Sequence, residues 1–500
     1  MGAPESAEPR ELDYPDDEAD NGQRSYSYTG DGGVPIGSFF NRLMYAWRFQ
    51  ETNILLSDTI NSESQILYVR DPRERVERAA PWLTLDADPY ATVVDGSIVW
   101  IVDGYTTTDS YPYSQRSEFG EVTTDSLTTQ TGTTVVPIRD QVNYLRNSVK
   151  ATVDAYDGTV TLYAWDESDP LLQTWSKVFP DTVQPRADMS DELIAHVRYP
   201  EDLFKVQREV FARYHVTDPQ IFYTSQDRWQ VPIDPTTPSA GDVAQPPYYL
   251  TLQVPGQVEP RFSLTTTFAP FNRETLAAFM AVNSDATDPE FGRIQALALP
   301  RNTTFPGPSQ MQNNIESNQN VANALLSLRR GGSAEVEIGN LLTLPVAGGL
   351  MYVEPVYARA TEGASYPTLR KVIVSFGDAV SIADTYEEAL GFFFDGVAID
   401  SPGTGGDKGG DKGGGGGGGG SGGNTSDAQQ RLQAALADAN AAYNDGQQAL
   451  AQGDFAAYGR AQDDLLAALQ RAEAAANELG LNELPTAPDL EGGSASAALP

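Results

Sequence analysis

The chain has no cysteine, which removes disulfides, thiol catalysis and every thiolate metal site at once. It has two histidines, His196 and His215, too few for a His-rich metal centre and little to build a Ser-His-Asp triad from. Base is scarce: 33 Lys and Arg stand against 69 Asp and Glu, a formal charge of −36. Binding nucleic acid needs a basic stripe, and none is present, so nucleic acid is excluded as a partner. Long apolar runs are also missing. The densest patch, Gly391-Phe392-Phe393-Phe394, falls far short of the roughly 20 residues a membrane helix requires. The start, Met1-Gly2 followed by acids from Glu5 to Asp20, lacks the cationic end and apolar segment of a secretory signal. It reads as an internal piece of a longer protein given a start codon.

What is there is ample core material: 500 residues, 40% hydrophobic and 10% aromatic. The acidity concentrates at the ends. Residues 1–40 hold nine acids and two bases, residues 424–500 hold eleven and three, and −21 remains for the rest. Composition divides the chain into a flexible acidic segment (1–33), a large body (34–400) with room for two subdomains, a Gly-rich linker (401–426), a helical hairpin (427–480) and a disordered tail (481–500). In the hairpin, Leu432, Leu436, Tyr443 and Leu450, then Phe455, Tyr458, Leu465 and Leu469, recur at helical spacing. Gly453 is a helix stop and Asp454 an N-cap. A small solvated hairpin is the favoured reading, and a partner-docking or self-associating coil the other.

Within the body, Ala91 to Tyr105 alternates β-branched and aromatic residues around Asp95-Gly96, a short hairpin signal, and Val149 to Trp165 repeats it around Asp157-Gly158. Further strands are expected at Tyr248–Gln253, Glu335–Val346, Leu350–Tyr357 and Lys371–Phe376, with Ala347-Gly348-Gly349 as a turn. A helix opening at Pro200 is expected to bury Leu203, Val206, Val210, Phe211 and Tyr214. Asn320 should cap a helix to Arg330, and Thr385 with Glu388 a helix to Phe394. Strands and helices intersperse without a βαβ rhythm, so the fold class is α+β, one large mixed body with several β-hairpins. Ser38 should cap an aromatic helix to Phe49 carrying Arg42 and Arg48. That composition fits a membrane-interface helix or one buried on the body, and burial is favoured.

Candidate chemistry is thin. Asp166, Glu167 and Asp169 put three carboxylates in one turn after a strand, a donor set for Ca²⁺, although the glycine and terminal glutamate of an EF-hand loop are missing. A solvated acidic turn is the favoured reading, and no other cofactor is implied. Asp86, Asp88 and Asp103 lie among Trp82, Tyr90, Trp100 and Tyr105, the aromatic and carboxylate mixture of a sugar site, where a carboxylate pair can hydrolyse a glycosidic bond. Asp95 and Asp157 belong to Asp-Gly turns. His196 and His215 each fall at a helix C-terminus, where the dipole favours them without any function.

Longer motifs carry a resemblance. Ala80-Pro81-Trp82-Leu83-Thr84-Leu85-Asp86, Val94-Asp95-Gly96-Ser97-Ile98-Val99-Trp100-Ile101-Val102-Asp103-Gly104-Tyr105, Asn143-Tyr144-Leu145-Arg146-Asn147-Ser148-Val149-Lys150, Arg198-Tyr199-Pro200-Glu201-Asp202-Leu203-Phe204 and Gly349-Leu350-Met351-Tyr352-Val353-Glu354-Pro355-Val356-Tyr357 resemble a large uncharacterised family of bacterial, mainly actinobacterial, membrane proteins known only by a family number. The resemblance covers roughly residues 34–396. It implies several N-terminal membrane helices, absent from this chain, followed by a large extracytoplasmic domain, and it brings no catalytic residues.

The expected function is therefore an extracytoplasmic binding or assembly module of the envelope. Its partners would be the membrane, through the missing spans, and a wall polymer, lipid or protein, with homo-oligomers as a further option. Such a module should lack clustered titratable groups of shifted pKa. The alternatives are a carboxylate-based hydrolase or transferase on envelope glycans, which needs carboxylates converging in an aromatic cleft, and an accessory domain of a transporter.

Overall fold

Asp95 and Gly96 both take left-handed φ, 51° and 78°, and close a two-residue hairpin between strands Tyr90–Val94 and Ser97–Thr108. This is the turn the dipeptide predicts. The second Asp-Gly pair behaves similarly: Gly158 has φ 76° in the loop joining Tyr144–Asp154 to Val160–Ala164. These hairpins lie side by side through the antiparallel pairing of Tyr144–Asp154 with Ser97–Thr108. The resulting six-stranded sheet runs Val183–Pro185, Val160–Ala164, Tyr144–Asp154, Ser97–Thr108, Thr84–Leu85, with Tyr90–Val94 also on Ser97–Thr108.

The computed structural model describes residues 11–15, 23–26, 28–30, 32–57, 60–131, 141–237, 243–300, 303–329, 334–346, 348–360 and 366–394, with scattered positions from Arg431 to Arg471. The chain divides into two compact units, Met1–Phe393 and Phe394–Pro500. A second, five-stranded sheet in the first unit centres on Arg261–Pro270, flanked by Ala278–Asn283 and Tyr248–Leu252. A third, also five-stranded, centres on Gly349–Ala360 and Thr368–Phe376. Each sheet packs against helices, the first and third on both faces. Val76 of helix Pro72–Ala79 and Leu172 of helix Pro170–Val178 meet Val102, Val149 and Ala151 of the first sheet. Phe204 and Ala212 of helix Glu201–Tyr214 meet Leu264, Phe268 and Met280 of the second. Met311 and Ile315 of helix Pro308–Ser317 meet Leu350, Tyr352 and Val356 of the third. Truncating a fully buried leucine such as Leu172 costs about 2–5 kcal/mol, so these contacts set the stability of the unit. The fold is α+β, as the interspersed pattern predicts.

Several local expectations need correction. The strand expected from Glu335 to Val346 is two, Ala334–Ile338 and Leu342–Val346, both paired to Gly349–Ala360. Between them the register slips by one residue, from Ile338 opposite Val356 to Leu342 opposite Val353; the Gly339 amide still donates to the Pro355 carbonyl at 2.8 Å, at a point where a Cβ would lie 2.7 Å from the Pro355 ring. The cap of helix Gln319–Arg329 is Asn318, whose Oδ1 accepts from the Asn320 and Val321 amides, not Asn320 itself. Thr385 does cap its helix, accepting from the Glu388 amide at 3.2 Å.

Two helices depart from their expected apolar faces. Helix Phe39–Phe49, capped by Ser38 as expected, buries no residue, so the favoured reading of burial is wrong. Helix Glu201–Tyr214 packs Leu203, Val206 and Phe211 of its expected face half-buried against core clusters, but its fully buried residues are Asp202, Phe204, Lys205, Arg208 and Ala212, and Val210 and Tyr214 are exposed. Charges can occupy that inner face because each meets an opposite charge or a carbonyl, as described below.

Of the expected C-terminal hairpin, Ala435, Ala442, Ala461 and Ala468 are helical and buried, and Arg471 Nη1 reaches Asp438 Oδ2 at 2.9 Å. The residues that carry the hairpin pattern, Leu432, Leu436, Tyr443, Leu450, Gly453, Asp454, Phe455, Tyr458, Leu465 and Leu469, lie outside the described residues, as do the Gly-rich linker 401–426, the tail 481–500 and residues 1–10 of the acidic start.

Candidate functional site

Strand alternation sorts the sequence candidates onto two faces of the first sheet. Trp100 and Val102 point into the core that also holds Trp82, and Trp82 stacks on Trp175 with ring centroids 5.5 Å apart. Asp103 and Tyr105 point the other way, and Asp86, Asp88 and Tyr90 gather with them. Trp82 and Trp100 are therefore core residues on the far face, and the aromatic–carboxylate mixture of the sequence is split by the sheet.

On the near face the acids are built into the fold. Asp86 Oδ2 accepts from the Tyr105 hydroxyl at 2.5 Å and from the Asp202 amide at 3.1 Å, while Leu203 donates its amide to the Tyr105 oxygen at 3.2 Å. Helix Glu201–Tyr214 opens on Pro200, which offers no side-chain cap. Asp86, distant in sequence, supplies the missing acceptor for the Asp202 amide. One turn in, buried Lys205 meets Asp125 Oδ2 at 2.6 Å, Glu201 Oε1 at 2.9 Å and Asp202 Oδ1 at 3.5 Å. Arg208, also buried, donates to the Gln245 carbonyl at 2.9 Å.

Asp103 faces Lys150 across the strands, and Lys150 Nζ donates to Asp103 Oδ1 and, at 3.2 Å, to the Arg198 carbonyl. Burial pushes the Asp103 carboxyl up and the Lys150 ammonium down, and each partner's charge opposes the shift of the other. The Arg198 guanidinium lies 3.9 Å from the Tyr90 ring and 4.5 Å from that of Tyr249, and Nη2 meets Asp88 Oδ2 at 2.6 Å. Burial raises Asp88 against the pull of Arg198. Burial also lifts Glu201 to about 7, against the pull of Lys205, with Asp88 adding to the rise. Clustered groups of shifted pKa are thus present, contrary to what a pure binding module should show.

Beside this cluster opens a cleft of about 1070 Å³ whose lining includes Trp165, Tyr199, Phe291, Arg186, Asn147 and Gln207. Arg186 stacks on Trp165 at 3.8 Å, and Phe291 meets Trp165 and Tyr199 with centroids 5.7 Å away from each. Asn147 joins cleft and cluster, donating through Nδ2 to Asp103 Oδ1 at 2.9 Å. Tyr199 is buried, its hydroxyl donating to Gln207 Oε1 at 2.9 Å, and Arg186 lies over Trp165, so half-buried Trp165 and Phe291 give the ring edges and faces that a ligand could contact beside the amides and guanidinium.

The proposed calcium donors are occupied by protein groups. Asp169 Oδ2 accepts from Thr106 at 2.6 Å, from Ser148 at 2.7 Å and from the Leu172 amide; Oδ1 accepts from Tyr144 at 2.5 Å. Burial opposes its charge, but these bonds outweigh it and hold the carboxyl below its usual range. Asp166 pairs with Arg146 and binds Ser168, and Glu167 accepts from the Arg186 amide at 3.2 Å. Among the described residues no group of three or more His, Asp or Glu is arranged to hold a metal. His196 and His215 stand at helix C-caps, His215 stacked on Trp229 at 3.7 Å.

Sequence reasoning missed Lys150, Arg198, Lys205 and Arg208 from the cluster and Trp165, Arg186 and Phe291 from the cleft. The spacing of Glu201, Lys205 and Arg208, i, i+4 and i+7, did place three charges on one helix stripe. That stripe carries a burial signal only when Asp125 and Gln245 are known to lie against it.

Comparison with known proteins adds a family. Residues 3–328 match the profile described as Uncharacterised protein family (UPF0182). A UPF0182 protein of Arthrobacter sp. (strain FB24) is 50% identical over 492 residues, 96% of this chain and 48% of the relative. UPF0182 protein SCO5204 of Streptomyces coelicolor is 50% identical over 93% of this chain and 45% of its own length. A UPF0182 protein of Thermobifida fusca is 54% identical over 77% of this chain and 38% of its own length. The chain spans about half the length of the curated relatives it matches most fully. No solved structure matches it.

Proposed function

The chain belongs to the uncharacterised protein family UPF0182, and on that footing we propose that it is the extracytoplasmic part of an envelope membrane protein, acting as a binding or assembly module. The observation that carries the binding reading is the cleft of Trp165, Tyr199 and Phe291, with Arg186, Asn147 and Gln207 at its edges. Its chemistry suits a sugar ring of an envelope glycan: aromatic faces for the apolar side of the ring, planar amides and a guanidinium for its hydroxyls. The cluster of shifted groups beside it is not what a pure binding module should show, but Asp86, Asp103 and Asp202 spend their oxygens on Tyr105, Lys150, Asn147 and main-chain amides, which leaves ligand contact to the cleft. The membrane attachment rests on the relatives' additional length, since among the described residues no helix is long and apolar enough to cross a membrane.

Calorimetric titration of the chain with soluble wall-glycan fragments tests the cleft. Binding that weakens roughly tenfold in Trp165→Ala is expected, the loss of one stacking platform. Absence of binding, or equal binding by the variant, defeats the reading. For location, a cysteine placed at exposed Tyr223 in the longer native protein should react with a membrane-impermeant maleimide on intact cells. Labelling only after lysis would put the domain inside.

One observation favours a second reading, a hydrolase or transferase on the same glycans. Glu201, lifted to about 7 by burial, follows the cleft-lining Pro200 and has the protonation range of a general acid, with Oε1 held by Lys205 at 2.9 Å. Release of reducing ends from a wall glycan, abolished by Glu201→Gln, would replace binding by catalysis.

A further inference from the structure

Helix Phe39–Phe49 is amphipathic in the wrong sense for a helix lying on a folded body. Phe39, Phe40, Leu43, Met44 and Trp47 share a stripe of roughly 140° at about 100° per residue, and that stripe faces solvent. Phe39 is 72% exposed, Phe40 68% and Trp47 77%. The opposite side holds the helix down. Arg42 donates to the Ile36 and Ile60 carbonyls, Asn41 to the Pro35 carbonyl, and Tyr45 and Phe49 pack on Tyr68. The polar side is thus anchored and the apolar side is presented. Leu56, in the short helix Asn53–Leu56 that follows, extends the apolar surface at 75% exposure. A contiguous exposed patch of this kind marks an interaction site.

We propose that this stripe lies in the interfacial layer of a lipid bilayer. Two observations choose the bilayer over a protein partner. The stripe's outermost side chains are Trp and Phe, the residues that sit at the boundary of headgroups and acyl chains. In a chain of net charge −36 the helix holds no acid and two arginines. Arg48 stands at the border of the stripe beside the Phe49 and Tyr68 rings, 5.8 and 6.0 Å from their centroids, placed to reach headgroup phosphates while the aromatics enter. Attachment is apolar in origin, since the acidic remainder of the chain is repelled by anionic lipid. Salt should therefore leave binding intact, and at anionic vesicles strengthen it by screening that repulsion. The inference stands apart from what the cleft binds.

Flotation of the full chain with vesicles of phosphatidylcholine, alone and with phosphatidylglycerol, tests it. The chain should float with both at low and at high salt. The double variant Phe40→Glu/Trp47→Glu should lose vesicle binding by at least roughly tenfold per aromatic removed. Both side chains project into solvent, so circular dichroism and melting temperature should stay at the wild-type values. The variant Tyr223→Glu, altered at an 89% exposed aromatic elsewhere, should float like the wild type. The proposal is overturned if the wild type fails to float, if the double variant floats equally well, or if binding disappears in high salt. It is also overturned if the double variant turns a dimer into a monomer without the wild type ever floating, which would make the occupant a second copy of the chain.

Discussion

Lys150 and Asp103 stand directly opposite one another on neighbouring antiparallel strands, both side chains buried, with Lys150 Nζ donating to Asp103 Oδ1. The pair couples the first sheet to the segment before helix Glu201–Tyr214, because the same ammonium also holds the Arg198 carbonyl. Each ion is tolerable in the interior only through the other.

Removing one partner should therefore cost more than removing both. Lys150→Met is expected to destabilise the chain by about 3–5 kcal/mol, since it strands the Asp103 carboxyl. The double variant Lys150→Met/Asp103→Leu should recover part of that loss. Urea unfolding of the wild type, both single variants and the double variant gives the coupling directly. Additive losses would show that the pair does not act as a unit.

Asp169 is predicted to be structural. Asp169→Ala withdraws the acceptor of Thr106, Ser148, Tyr144 and two helix amides, and should cost roughly 2 kcal/mol or more in the same assay. Millimolar Ca²⁺ should leave the melting temperature of the wild type unchanged. A calcium-dependent rise that disappears in Asp169→Ala would restore the metal reading of Asp166, Glu167 and Asp169.

Glu354 supplies a pH dependence. Its side chain is wholly buried in the third sheet, and burial lifts the carboxyl to about 8 from an ordinary 4.5 against the pull of the Gln312 amide. The folded state keeps the proton that the unfolded chain releases near pH 4.5. The associated stability is full below that value, falls as pH rises, and is lost by about pH 8. Glu354→Gln should abolish this part of the decline, so wild type and variant diverge from pH 5 to 8 in thermal unfolding. Parallel curves would mean that the carboxyl is ionised in the fold.

Two glycines with nearly equal backbone angles should respond differently to alanine. Gly96, φ 78°, has open space where a Cβ would stand, whereas at Gly158, φ 76°, a Cβ would fall 2.1 Å from the Arg75 guanidinium carbon. Both changes incur the left-handed penalty of about 1 kcal/mol. Gly158→Ala should cost more, because Arg75 must also give up its 2.7 Å bond to the Gly158 carbonyl. Equal losses would show that the guanidinium moves aside freely.

Features governed by neighbouring residues are legible in the amino-acid sequence. Asp95-Gly96 makes its hairpin, Ser38 and Thr385 cap their helices, and His196 and His215 end theirs, because turn and cap geometry depends on residues within about four positions. The family resemblance is legible for a similar reason, as contiguous motifs. The candidate site is legible only in part. Asp86, Asp88, Asp103, Tyr90 and Tyr105 do come together, yet Trp82 and Trp100 lie across the sheet from them, a separation that follows from strand alternation once the pairing is fixed.

Composition and local pattern by themselves determined that this chain is an acidic, cysteine-free α+β protein with hairpins at its Asp-Gly pairs and helices at its caps. Which face of each helix meets the body was decided only by the tertiary structure. Helix Glu201–Tyr214 turns its charges inward because Asp125 pairs with Lys205 and the Gln245 carbonyl accepts from Arg208, both distant in sequence. Helix Phe39–Phe49 turns its aromatics outward because Arg42 and Tyr45 secure its other side. An amphipathic pattern states that two faces differ; which one is buried depends on the partner that removes it from water.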